Sequence, residues 1–109
     1  METFFKNKVI KDVGTTATTI LSNTANSKMT VLGVSLANVS ESSLFVSMTL
    51  TDDLSVTGFY LKDVNLPPNS SLRALNGGEK LILGNGNVLK VTSNLDASVD
   101  VIVSYVEII

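Results

Sequence analysis

The sequence predicts an all-β protein, a single antiparallel β-sandwich of about eight strands with Greek-key or jelly-roll connections. Three observations predict it. Apolar and polar residues alternate with period two in several segments, most cleanly in "SLFVSMTL" and the closing "SVDVIVSYVEII". Turn-forming clusters of Gly, Asn, Ser, Asp and Pro recur roughly every 8 to 12 residues, the spacing of a sandwich or barrel. No segment sustains a 3.6-residue apolar period.

The elements follow in order. Residues 1–13 differ from the rest, with Phe4, Phe5, Val9 and Ile10 interrupted by Lys6, Lys8 and Lys11 before Gly14. They form either a first strand or an arm reaching over another subunit, and residues 14–109 form the sandwich. "TTATTIL" is β-branched and stops at the turn-forming "SNTANS". "KMTVLGVSLA" is apolar on both parities, Leu32, Val34 and Leu36 against Met29 and Val31, as in a strand covered on both faces. In "SLFVSMTL", Leu44, Val46, Met48 and Leu50 share one face, leaving Phe45, Ser47 and Thr49 on the other. "TDDLS" reads as a turn. "GFYLKDVNL" stops at Pro67-Pro68, which cannot donate to a ladder. "SSLRAL" is followed by a turn at "NGG". "EKLIL" and "NVLKVTS" flank "GNGN", a hairpin signal because Gly and Asn tolerate positive φ. The last strand puts Val99, Val101, Val103 and Tyr105 on the core side. It ends on Val106, Glu107, Ile108 and Ile109, which form either an apolar free edge or a central strand with both neighbours present.

At 109 residues the chain has the size of one domain with one core. It is 44% hydrophobic and 17% charged, below the roughly 25% charged of typical soluble domains. Ser, Thr and Asn take the place of charge, and they are cheaper to desolvate in a protein contact. A net charge of -2 argues against nucleic acid as a partner, since phosphate binding needs a clustered basic face. No apolar run approaches the roughly 20 residues that span a bilayer, so no membrane partner is expected. "METFFKNKVI" lacks the apolar stretch and cleavage site of a secretory signal, which points to folding in a cytoplasm.

Chemistry is constrained by what is missing. The chain has neither histidine nor cysteine, which removes a Ser-His-Asp triad, a thiolate nucleophile, a disulfide and an ordinary zinc site. Asp52 and Asp53 are adjacent and point apart in extended backbone, so they cannot pair as acid and base. A calcium site on Asp52, Asp53 and Asp63 lacks a recognised ligand spacing, and a solvated turn is the simpler reading. "LGNGN" lacks the third glycine and following helix of a phosphate loop. "NVS" at Asn38 and "NSS" at Asn69 match the glycosylation pattern, which recurs by chance. Phe59, Tyr60 and Tyr105 could form a sugar platform, although Tyr105 shares the parity of the core valines. No catalytic residue, cofactor or metal is therefore expected.

From about residue 18 onward the chain resembles small virion proteins of tailed bacteriophages, namely head decoration (cement) proteins and related β-sandwich tail modules. The resemblance rests on "MTVLGVSLANVSES", on the leucine-proline turn of "DVNLPPNSSLRAL" and on "KLILGNGNVLKVTSNLDASVDVIVSYVEI". One departure is Asn85-Gly86-Asn87, where many members carry Gly-Asp. The resemblance implies a non-enzymatic virion protein, made in the host cytoplasm, that contacts the major capsid protein or other virion proteins and forms a homo-oligomer. A tail, baseplate or head-fibre module, or a carbohydrate-binding module, is the alternative. The expected contact residues are Phe4, Phe5, Lys6, Lys8, Val9, Ile10, Phe45, Ile108 and Ile109.

Overall fold

A computed structural model describes residues 2–23 and 26–109, with the side chains of 76–79 excepted. Eight strands follow one another: β1 (Thr3–Val13), β2 (Thr18–Ser22), β3 (Lys28–Asn38), β4 (Leu44–Thr51), β5 (Thr57–Leu66), β6 (Ser71–Leu83), β7 (Val88–Ser93) and β8 (Val99–Ile108). They form two four-stranded antiparallel sheets, ordered β1-β8-β3-β6 and β2-β7-β4-β5. This interleaving of early and late strands is the jelly roll, two Greek keys wrapped around one core. The chain changes sheet at every connection except β4–β5.

The core lies between the sheets. Val31, Val34 and Leu36 of β3, Val46 and Met48 of β4, Leu89 and Val91 of β7, and Val99, Val101 and Val103 of β8 are almost fully buried. Each such side chain contributes roughly 1.5 to 3 kcal/mol of burial. The parity read in β4 and β8 is the observed one, and Tyr105 packs against the core.

Three local expectations are corrected, and one alternative left open by the sequence is decided. First, β3 is not covered on both faces. Its pairing with β6 and β8 shifts between Val31 and Gly33, so Leu32 is a bulge that flips the parity from Met29 and Val31 to Val34 and Leu36. Second, "NGG" does not end a strand. β6 runs through Asn76–Glu79, where Gly33 pairs with Asn76 and Val31 with Leu81. The extra residues are absorbed opposite the β3 bulge. Third, "GNGN" is a turn but not a hairpin. Gly86 takes φ 86°, the Asn87 N–H donates to the Gly84 carbonyl at 3.0 Å, and the chain passes from one sheet to the other. Turn chemistry sets the local backbone; the choice of sheet belongs to the neighbours of β7. Of the two alternatives for the end of β8, the structure shows the central strand. It sits between β1 and β3, and the terminal Ile109 exchanges two 2.9 Å backbone bonds with Glu2.

Within residues 1–13, Thr3–Val13 form the strand β1, paired with β8 along nearly all its length. Met1 lies outside the described residues, as do Thr24 and Ala25 within "SNTANS". The strand nevertheless contributes little to the core, since only Val13 is buried and Ile10 half-buried. A register shift between Ile10 and Val13, with Asp12 at φ 59°, kinks it where it enters the sandwich.

Buried polar groups close the two ends. At one end Asn38 donates to the carbonyls of Ser42, Leu66 and Pro67 at 2.8–3.1 Å, and its Oδ1 accepts from Ser40 N–H and Oγ. Its amide is fully engaged, so the "NVS" sequon does not present an acceptor in the folded domain. At the other end Asn23 donates to the carbonyls of Ser27 and Leu83 at 3.0 and 2.9 Å. Nearby, Ser27 Oγ lies 2.9 Å from Glu107 Oε2, and Lys6 Nζ donates to Glu107 Oε1 at 2.8 Å.

Candidate interaction surfaces

Alternation delivers side chains to the outer faces as reliably as to the core. Pairing places Phe5, Val106, Thr30 and Ile82 in one row across the outside of the β1-β8-β3-β6 sheet, and Val9, Ile102, Ser35 and Arg73 in another. Between these lies the row Asn7, Ser104 and Gly33. Phe5 is 80% exposed, Ile82 65%, Val9 60% and Ile102 49%. A shallow hollow of about 320 Å³ opens between Leu32, Ser35, Arg73 and Ile102, and a second of about 250 Å³ lies between Phe5, Asn7, Leu32 and Ser104. The bulged Leu32 borders both. Exposed apolar side chains thus flank a polar middle row, and Lys28, Arg73 and Asp100 lie towards the margins of the face.

The outer face of the other sheet is different. Ser47 pairs with Thr92, and Thr49 with both Lys90 and Phe59, so hydroxyls and a lysine dominate. Its most exposed apolar side chains are at the β4–β5 turn, where Leu54 is 78% exposed and Val56 62%, with Phe59 nearby on β5 and Phe45 at the far end of β4. This turn is rigidly built. Asp52 Oδ1 accepts from the N–H groups of Leu54 and Val56 at 2.9 and 3.0 Å, and Gly86 packs against Asp53 so closely that a Cβ there would meet it at 3.1 Å. Asp52 therefore caps its own turn. Among the described residues no group of three acidic, His or Cys side chains is placed to hold a metal ion.

The nine expected contact residues separate into groups. Phe5 and Val9 lie on the outer face of β1, whereas Phe4, Lys6, Lys8 and Ile10 have the inward parity. Ile10 packs against the core and belongs to the domain itself. Lys6 is committed to Glu107, whose carboxyl is held below its usual value chiefly by that ammonium and then by Ser27; the Lys6 pKa is raised in return by the same bond. Its ammonium also lies 5.3 Å from the Phe4 ring centroid. Lys8 is exposed on the edge strand, where charge discourages pairing with a second edge. Ile108 pairs with Thr3, and Ile109 is 63% exposed beside it, which brings both chain ends to one end of the sandwich. Phe45, 48% exposed, lies on the other sheet at the opposite end, near Asn94.

Ile82, Ile102, Leu54 and Val56 were not among the expected contacts. Ile102 was legible, since an isoleucine between Val101 and Val103 must face outward on a one-sided strand. Ile82 was not, because its face depends on the irregular pairing of β6. Of the aromatic platform, Tyr60 packs against the core and the Phe59 ring lies 5.1 Å from the Lys62 ammonium.

The fold and these surfaces define a jelly-roll β-sandwich with apolar side chains displayed outside its core. Comparisons with models of protein families, with curated proteins and with solved structures gave no match.

Proposed function

We propose that the protein is a non-enzymatic structural component of a tailed-bacteriophage virion, a decoration protein that binds the outside of the capsid shell and stabilises it through intersubunit contacts. The observation that carries this reading is the display of apolar side chains on two separate surfaces. One is the outer face of the β1-β8-β3-β6 sheet and the other is the β4–β5 turn with Leu54 and Val56. A protein with two adhesive surfaces on a rigid frame can bridge neighbours, and bridging is how a cement protein adds buried area across the joints of a shell. The resemblance of "DVNLPPNSSLRAL" and the closing strands to such proteins supports the same class.

The test is binding of the purified protein to shells that lack it, followed by its location in an electron-microscopy map of the particle. Saturable binding at fixed lattice positions is expected. Density confined to the tail would replace the decoration role with a tail or baseplate module. A carbohydrate-binding module is the reading from another class, resting on the hollow of about 320 Å³ beside Phe59, Tyr60 and Val56. Lys62 already occupies one approach to the Phe59 ring, which disfavours stacking of a sugar there. Selective binding on a glycan array would favour that module over the virion role.

A further inference from the structure

We infer that the outer face of the β1-β8-β3-β6 sheet is the interface of a two-fold symmetric dimer, so that a second copy of this chain covers it. The inference rests on self-complementarity and area; it gives one of the two displayed surfaces to a second copy and leaves the β4–β5 turns of both copies to other neighbours.

Consider a two-fold axis lying between the copies and perpendicular to the strands, passing over the row Asn7, Ser104 and Gly33. Such an axis keeps each strand over its own counterpart and reverses its direction. Phe5 and Val9 lie two residues either side of Asn7, so Phe5 of one copy meets Val9 of the other. Val106 and Ile102 lie two residues either side of Ser104, so they meet in the same way. The hollows flanking Leu32 lie beside the axis and receive the projecting Ile82 and Val9 side chains. At the margins, Lys28 pairs with Ile108 at one end of the sheet and Asp100 with Ala37 at the other. Reversal brings Lys28 of each copy beside Asp100 of its mate. Knobs, hollows and opposite charges are all supplied by one face, as an isologous contact requires.

The area is adequate. Four strands about 4.8 Å apart, over roughly nine residues of about 3.3 Å rise, outline about 600 Å² in plan. Side-chain relief enlarges this towards the ≈ 800 Å² per partner of a standard interface. Exposed apolar side chains on both sides of the axis, with Lys28, Arg73 and Asp100 towards the margins, provide the apolar contact and the polar rim of such an interface. Two sheets stacked face to face would reproduce between copies the aligned packing found inside each sandwich. Edge-to-edge pairing through β1 is the poorer route to a dimer, because that edge strand carries the exposed charges of Lys8 and Lys11.

The experiment is sedimentation equilibrium of the full chain, with circular dichroism confirming that each variant folds. The wild type is expected at twice the monomer mass of 11.6 kDa. Ile102→Asp and Val9→Glu should each weaken the dimer at least about tenfold, since each buries an unpaired charge in the contact. Thr49→Asp, on the outer face of the other sheet, should leave it intact. Lys28→Asp and Asp100→Lys should each weaken association, and the double variant should restore it. A wild type that is monomeric at every concentration overturns the inference, as does a dimer insensitive to both Ile102→Asp and Val9→Glu. Failure of the double variant to restore association overturns the proposed orientation. Failure to bind shells while the dimer persists counts against the virion role alone.

Discussion

Asn38→Ala should destabilise the domain by about 2 to 5 kcal/mol, a large fraction of the roughly 5 to 15 kcal/mol of a typical domain. Asn38 is 2% exposed and holds three segments together: the end of β3, the loop at Ser40–Ser42 and the turn entering Pro67. Truncation leaves the buried Leu66 carbonyl without this donor, at a cost of about 1 to 3 kcal/mol. The partly exposed bonds to Ser42 and Pro67 add roughly 0.5 to 1 kcal/mol each, because water replaces them imperfectly. Ser40 rehydrates and adds little. For a domain of this size the total lowers Tm by roughly 10 to 20 °C. Thermal unfolding followed by far-ultraviolet circular dichroism measures it directly, with Glu41→Ala, at an exposed loop position, as the control. A loss below about 0.5 kcal/mol for Asn38→Ala would refute the view that this amide is what closes that end of the sandwich.

Three more outcomes follow from the same geometry. Val46→Asp places a charge at a fully buried position and should cost several kcal/mol in chemical denaturation, while Thr49→Asp on the outer face should cost much less; equal losses would contradict the facing of β4. Deleting residues 1–13 should aggregate the protein, seen by size-exclusion chromatography, because it uncovers the whole edge of β8 along with removing Val13; a soluble truncated domain with unchanged Tm would show that β1 is dispensable to the fold. The Glu107 carboxyl is depressed by Lys6 and Ser27, so its stabilisation is present above the unfolded carboxylate pKa and is lost as pH falls through the lower folded value. Glu107→Gln should accordingly flatten the acid limb of the Tm–pH profile, and a limb of unchanged slope would remove this carboxylate from acid unfolding.

Alternation by itself determined the fold class and the inward residues of β4 and β8. Side chains in extended backbone point to opposite faces whatever the neighbours are. The turns at Asp52–Val56 and Gly84–Asn87 were equally legible, because side-chain caps and positive φ are local chemistry. Only the tertiary structure decided which strand lies beside which. "GNGN" determines a tight turn, yet β7 joins the opposite sheet because β2 and β4 lie there to pair with it. The same holds for Leu32, whose outward bulge depends on two partners with different registers, and for the end of β8, which β1 and β3 enclose. It holds most of all for the outer face where Phe5, Val106 and Ile82 meet. They are distant along the chain, and antiparallel pairing between strands far apart in sequence brings them into one row. Local periodicity carries no information about such pairing, because hydrogen-bond ladders are indifferent to the loops that join them.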